Sequence, residues 1–385
     1  MKKKKSNKTM KVFLVLIVLV LVIVLLKKQG TVFKKVQVDN NKSIEYSSVL
    51  VKEIRDNNKN TLVSDLTLNT NLAFFYSQGN DQVKEELNNY FKEESDTLIN
   101  NYDKIYTRYK GASKKVAYGS SLWINSKADD CSKEAKKTAK KLHYDMKVRK
   151  FNNKTQNEIN RWIKKKSHGT VKEGIENDIS GDQSVLMSTV YFNEKWNKKY
   201  ENEDIKDGIF YGTNGEQQVT YLSSDENYYL EDEIAKGFMK PYKDKGLYFV
   251  GIKPKDNHTL DEINVDSLMN KKQNYEVSVK IPEFEYEQTI DLKPVLKSIG
   301  INSIFEPGNL ESIAKDLYVS DIYQKNYIKV NRKGTEAFSL NVSINTQWGG
   351  ISGVRTVYLD EPFVFMIYDD TIKQALFIGE VYNIQ

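Results

Sequence analysis

Nucleophilic, redox and metal chemistry each need particular side chains at fixed spacing, and this sequence offers few of them. Its three histidines, His143, His168 and His258, are scattered. A Ser–His–Asp arrangement cannot be assembled from them by inspection. The single cysteine, Cys131, excludes an intrachain disulfide and leaves a Cys–His zinc site unsupported. No GxSxG elbow, phosphate loop, GxGxxG, HExxH or CxxC is present. Carboxylates are many, but no pair stands out from ordinary surface charge. The expectation is a protein that is not an enzyme and uses no cofactor and no metal. The run from Lys133 to Lys150 holds eight Lys or Arg residues and could meet a polyanion such as a sulfated glycan. A solvated helix face in a lysine-rich protein would have the same composition.

A chain of 385 residues, 39% hydrophobic and 11% aromatic, can build one large core or two medium ones. The net charge of +6 is mild and much of it sits in the N-terminal tail, so it does not argue for nucleic acid. That tail is a lysine-rich head followed by an unbroken apolar run, Val12 to Leu26, and then Lys27 and Lys28. A basic head before an apolar stretch is an export signal. As a helix the run spans about 22 Å, short of the ~30 Å hydrocarbon core, and lysine stems can snorkel to close the gap. Residues 1–29 are read as a signal-anchor or signal peptide, with the domain outside the cell. Residues 30–42 read as a short polar stalk.

The elements follow from periodicity. Amphipathic or buried helices are expected at 43–58, Ser64–Gly79, Asp81–Phe91, Asp130–Leu142, Asn157–Lys166 and Leu292–Ile299. Strands are expected at Val116–Asn125 and at Val185–Phe192, the second apolar enough to be buried on both faces. Further strand-like runs lie at 208–212, 217–222, 236–241, 246–253, 275–285, 317–330 and 363–382. Helices crowd the first half and strands the second, which predicts a single α+β domain with large antiparallel sheets. One stretch stands apart. From Phe338 to Asn345 apolar and small polar residues alternate, a strand pattern, yet the chain then runs into Gly349, Gly350 and Gly353. A segment fit for a strand but joined to a glycine-rich tip is a loop that could become a strand. An edge strand followed by a surface loop would give the same pattern.

Several stretches together resemble the serpin family of serine protease inhibitors. INRWIKKKSHGTVKEGI, 159–175, is similar to its Asn-x-Trp-x(4)-Thr-x-Gly-x-Ile segment, with Asn160, Trp162 and Gly169 matching. LMSTVYFNEKW, 186–196, resembles the central strand that ends in a tryptophan. IPEFEYEQTIDLKPVLKSIGINSIFEPGNLESI, 281–313, VNRKGTEAF, 330–338, and EPFVFMIYDDTIKQALFIGEV, 361–381, follow in family order. The resemblance covers residues 43–385. It implies a serpin fold: three mostly antiparallel β-sheets, eight or nine helices and an exposed reactive-centre loop, here about 334–361.

It also implies a function, suicide-substrate trapping of an extracellular serine or cysteine protease. The loop is cleaved as bait, an acyl-enzyme forms, and the freed segment enters the large sheet. A non-inhibitory serpin-fold binding or structural protein is the alternative. Gly334, Thr335, Glu336 and Ala337 take the hinge positions. The family's spacing from the hinge glycine places the scissile residue at Trp348, with Gln347 and Gly349 as neighbouring registers and Arg355 last. An aromatic there implies chymotrypsin-like specificity. Trp196, Ser188 and Gln324 occupy positions that gate the sheet. Thr335, Ala337, Ser339, Asn341 and Ser343 would face inward on insertion, and all are small and uncharged. The expected partners are the protease, a membrane through the N-terminal segment, and a polyanion at Lys133–Lys150, with the chain monomeric. There are departures. Asp65 stands where the family has proline, Ser188 where it has asparagine and Gln324 where it has histidine. Arg332 replaces an acidic residue, which puts an ion pair at the sheet top in doubt.

Overall fold

The computed structural model describes residues 33–38, 42–56, 59–127, 131–171, 175–335 and 355–384. The signal segment 1–29 lies outside them, as do Glu336, Ala337, Gln347, Trp348 and Gly349.

Three sheets organise the domain. The first, the large sheet, contains β2 (Val116–Asn125), β3 (Asp145–Arg149), β4 (Ser184–Phe192), β5 (Glu194–Lys195), β12 (Phe284–Asp291), β13 (Asp321–Asn331) and β14 (Gly334–Thr335). The second joins β1 (Thr61–Val63), β8 (Tyr229–Glu231), β9 (Ala235–Pro241), β10 (Leu247–Pro254), β16 (Phe363–Asp369) and β17 (Gln374–Val381). The third is built of β6 (Ile205–Gly212), β7 (Gly215–Glu226), β11 (Val277–Pro282) and β15 (Arg355–Tyr358). Among the described residues only β2–β3, β4–β13 and β11–β15 pair in parallel.

Eight α-helices surround them among the described residues. They are α1 (Ser43–Ile54), α2 (Asp65–Gln78), α3 (Asp81–Phe91), α4 (Ser95–Lys110), α5 (Lys133–Lys141), α6 (Asn153–Lys166), α7 (Val265–Met269) and α8 (Lys293–Ser298). Helix α2 is buried on every side except at Ser77, which explains why it carries no amphipathic stripe.

The two faces of the large sheet are sealed differently. On β4, Leu186, Val190 and Phe192 join the main core, while Val185 and Met187 join a second cluster with Ile159, Trp162 and Ile163 of α6. Alternation along the strand thus assigns even positions to the main core and odd positions to the α6 side. Trp162 Nε1 donates to Asp145 Oδ2 at 2.7 Å, tying α6 to β3. Asn160 Oδ1 accepts from the Ile175 amide at 2.8 Å, tying α6 to the segment that leads into β4.

Three local differences from the sequence reading have physical causes. Helix α4 was not expected. Its face is built from Leu98, Ile99, Tyr102, Ile105 and Tyr109, so tyrosines supply much of an apolar stripe that is easily read as polar. The run 275–285 is two strands in two sheets, with Glu283 as the corner between β11 and β12. Residues 33–38, read as part of a stalk, lie against the domain. Phe33 packs edge-on to Tyr109, and Lys34 exchanges backbone and guanidinium hydrogen bonds with Arg108.

Candidate functional site: an incomplete large sheet

Strands β4 and β13 are neighbours over five residues only. Their parallel register runs from Asp321↔Val185 to Lys325↔Thr189 and ends there. Beyond that point β4 continues to Phe192 and β13 to Asn331. At the far end the two-residue strand β14 sits between them. Gly334 and Thr335 pair with Asn331 and Val330 on one side and with Lys195 and Glu194 on the other. The loop therefore begins as a strand already seated at the mouth of a sheet whose middle is not closed by the β4–β13 ladder.

The mouth is fixed by tight contacts. Gly334 has φ +148°, and a Cβ there would lie 2.2 Å from the Glu194 carbonyl oxygen. Only glycine fits both the torsion and the space. Thr335 is 2% exposed and its hydroxyl lies 2.6 Å from the Tyr242 hydroxyl. Tyr242 stacks on Trp196 at 4.7 Å, and the Trp196 indole donates to the Asn331 carbonyl at 2.9 Å. Lys240, 2% exposed at its side chain, lies over the rings of Trp196 and Tyr200 and is paired with Glu226 at 2.7 Å. Burial opposes its charge, but Glu226 and the Tyr200 oxygen outweigh that and hold it protonated above the usual range. Lys115 bridges Glu194 and Asp244 from the other side. The ion pair left in doubt at Arg332 exists with its own acid. The Arg332 guanidinium lies 3.4 Å from Glu283, whose carboxylate also accepts the Arg332 amide at 2.8 Å.

Of the positions to which the resemblance gives a gating role, Trp196 sits at the mouth and Ser188 and Gln324 at the closed end. Gln324 and Ser188 are direct register partners across β13 and β4. The Gln324 amide is spent downward on α2. Its oxygen accepts from the Ser64 amide, and its nitrogen donates to the Ser64 carbonyl and to Thr67 Oγ1, all within 2.9 Å. Asn326 adds a bond to the same oxygen at 2.7 Å. Ser188 Oγ and Thr189 Oγ1 are buried without a hydrogen-bond partner among the described residues. Leaving such atoms unmatched costs roughly 1–3 kcal/mol each.

Asp65, at the start of α2, is 2% exposed. It accepts hydrogen bonds from Ser43 Oγ at 3.0 Å and Ser47 Oγ at 2.8 Å, and a longer one from Gln374 Nε2. Desolvation outweighs these bonds and pushes its carboxyl up to about 7. Nothing in its sequence context marks this burial. Arg355 is held in β15, with its guanidinium 3.8 Å over Tyr275, so it belongs to the scaffold of the third sheet.

The family model for serpins, described as serine protease inhibitor, matches residues 41–384. Serine protease inhibitor 2 of Anopheles gambiae is 26% identical over 372 residues, covering 88% of this chain and 91% of that protein. Plasminogen activator inhibitor 2 of Homo sapiens is 27% identical over 243 residues, covering 57% and 58% of the two chains. Among solved structures, the thermophilic serpin tengpin in its native state matches with a TM-score of 0.80 and 25% identity, covering 93% of this chain and 98% of that one. The three sheets, the strand seated at the mouth of the largest and the match over nearly the whole described domain agree, and the chain belongs to the serpin family.

Proposed function

We infer that this serpin is a protease inhibitor that traps its target once, by acyl-enzyme formation followed by insertion of the cleaved loop between β4 and β13. The observation that carries the reading is the short β4–β13 ladder with Gly334 and Thr335 already paired above it. Strand addition of this kind is established behaviour for inhibitory serpins. The two registers at the mouth favour it when extended. Continuing the β13–β14 pairing sets Asn341 opposite Gln324, and continuing the β5–β14 pairing sets the same residue opposite Ser188. Both ladders thus bring one polar side chain to the pair that now meets across the closed end. Thr335, Ala337, Ser339, Asn341 and Ser343 would face the main core, and Phe338 and Leu340 would lie beneath α6.

Nine residues, from Glu336 to Ile344, would then be added opposite β13, beyond the already paired Thr335. At roughly 0.5–1.5 kcal/mol net per ladder hydrogen bond, the drive is on the order of 10 kcal/mol. Disturbing one oxyanion-hole donor slows acyl chemistry by roughly 10²–10³, enough for the ester to outlast the turnover time of the protease. Trp348 is the proposed scissile residue, flanked by Gln347 and Gly349, which makes a chymotrypsin-like serine protease the preferred target. The domain acts outside the cell as a monomer, held at a membrane or released by the segment Val12–Leu26, and Lys133–Lys150 offers a polyanion surface.

The bulk of Phe338 and Leu340 favours a second reading, a serpin-fold binding protein that does not insert its loop. Incubation with chymotrypsin separates the two. The inhibitory reading expects a covalent complex that survives boiling in detergent and a released peptide beginning at Gly349. Cleaved protein alone, with no gain in thermal midpoint after nicking, would overturn it. A peptide beginning at Thr356 would overturn the choice of Trp348.

A further inference from the structure

The segment that leads into the domain is docked on it, and that restricts how the domain can stand on a membrane. Phe33 lies edge-on to Tyr109 at 5.8 Å, with the Arg108 guanidinium 5.5 Å from its ring. The Lys34 amide donates to the Arg108 carbonyl at 3.0 Å, and Arg108 Nη1 donates to the Lys34 carbonyl at 3.1 Å. Val36 and Val38 pack against the main core. Arg108 is itself held by Asp369 at 2.6 Å, with both side chains buried. The chain therefore meets the domain at one fixed place, Phe33. From Leu26, the end of the apolar run, to Phe33 is seven residue steps, at most about 25 Å at full extension. A domain of this size has a radius of gyration of about 20 Å, so a tether that short cannot bring its far side to a bilayer.

The surface around that place is basic. Lys110 ends α4, two residues beyond Arg108, and Lys114 stands in the turn that follows. Lys115, next to it, is bonded to Asp244, which brings in the 243–246 turn with Lys245. The Asp370 amide donates to the Gly246 carbonyl at 2.8 Å, which closes the patch back onto Asp369 and Arg108. Lys34, Lys35, Lys110, Lys114 and Lys245 are all exposed, and none has a carboxylate partner among the described residues. The acids of the patch are already matched, Asp369 by Arg108, Asp244 by Lys115 and Asp370 by Lys272 and Lys373. A lysine-rich composition explains exposed lysines; it does not explain why unmatched ones gather where the chain joins the domain.

We propose that this patch is a seat for anionic lipid headgroups, on which the domain rests through Lys34, Lys35, Lys110, Lys114 and Lys245. The seat depends on the reading of Val12–Leu26 as a retained membrane segment. Each lysine at an anionic surface favours the seated state by about fivefold. The patch also adjoins the mouth of the large sheet. Lys115 bonds Glu194 as well as Asp244, and Glu194 pairs with Thr335. Seating thus keeps the origin of the loop on the membrane side of the domain. On the inhibitory reading, that suits a target protease working at the same membrane.

The test uses the full chain reconstituted into vesicles of phosphatidylcholine, with or without phosphatidylglycerol. Floated vesicles are treated with a membrane-impermeant acylating reagent, and the modification of each lysine is read by mass spectrometry. Lys243, exposed beside the patch, is the reporter; Lys154 and Lys315, exposed toward the closed end of the large sheet, are the controls. With phosphatidylglycerol, Lys243 should react at least about fivefold more slowly than with phosphatidylcholine alone, while Lys154 and Lys315 keep their rates. Lys110→Gln/Lys114→Gln/Lys245→Gln should lower the seated-to-free ratio by about a hundredfold and restore the rate at Lys243. High salt should do the same to the parent. Equal rates at Lys243 in the two lipids, equal slowing at Lys154 and Lys315, or a triple variant as protected as the parent would overturn the seat and leave the membrane segment standing. A chain that floats with neither vesicle would overturn both.

Discussion

Replacing Asp65 by asparagine should remove most of one pH dependence of stability. In the unfolded chain an aspartate titrates near 3.9. In the fold, desolvation keeps this one protonated up to about 7, against the pull of the Ser47, Ser43 and Gln374 hydrogen bonds. Below pH 4 both states hold the proton and the site imposes no penalty. Between pH 4 and 7 the unfolded chain ionises while the folded one does not, so stability falls steadily. Above pH 7 both are ionised and the loss stays constant. A gap of about three pKa units corresponds to on the order of 4 kcal/mol. Asparagine is isosteric and cannot ionise, so Asp65→Asn should gain on the parent through that window, by up to about that amount at pH 8. Asp182 also titrates high, at about 6, through desolvation and the neighbouring Asp321, but it is present in both proteins and cancels in the difference. Urea midpoints of both proteins at pH 4, 5, 6, 7 and 8 measure the effect. Parallel pH profiles for parent and variant would refute the claim that Asp65 is a buried acid held neutral by its surroundings.

Three further substitutions probe the mouth of the large sheet. Gly334→Ala forces a Cβ to within 2.2 Å of the Glu194 carbonyl oxygen at φ +148°, and should cost about 1–3 kcal/mol, read as a lowered thermal midpoint. Lys240→Met leaves Glu226 buried and unpaired and should cost roughly 3–5 kcal/mol; the double variant Lys240→Met/Glu226→Gln should recover much of it, as a thermodynamic cycle would report. Ala337→Arg, at the next inward-facing position beyond the seated Thr335, places a charge that insertion would bury, at a cost of several kcal/mol. With chymotrypsin it should divert the reaction from covalent complex to cleaved protein by roughly 10²–10³, since each 1.4 kcal/mol is tenfold. Undiminished complex in gel electrophoresis would count against insertion.

The parts of this molecule that follow from periodicity were open to reading. Val185–Phe192 is apolar apart from Ser188 and Thr189 because both faces of β4 are covered, one by α2 and the main core, the other by α6. The single α+β domain followed from the crowding of helices before strands. What escaped depends on contacts distant in sequence. Helix α4 hides its apolar face in tyrosines whose rings are buried and whose hydroxyls reach polar groups, as Tyr109 does with Asp369, 260 positions away. Asp65 reads as an ordinary helix-start residue, because acids are favoured there. Its burial comes from α1 and β17 closing over it. Arg332 looked like a lost ion pair because the compensating acid, Glu283, lies on the corner before β12, far back in the chain. Gln324 and Ser188 were singled out only through the family resemblance, and the wiring of Gln324 to the backbone of Ser64 had no signal in the sequence.

Gly334 leaves no room for a methyl group, so the origin of the loop is pinned to the backbone of β5. Any change in loop length must therefore be absorbed downstream, between Thr335 and β15. On the inhibitory reading, distance along the loop is in effect measured from a stationary zero, and the position of the cut would decide how much tether remains to haul a protease. A two-residue deletion beyond the cut would leave the haul unchanged; the same deletion before it would shorten the tether by about 7 Å.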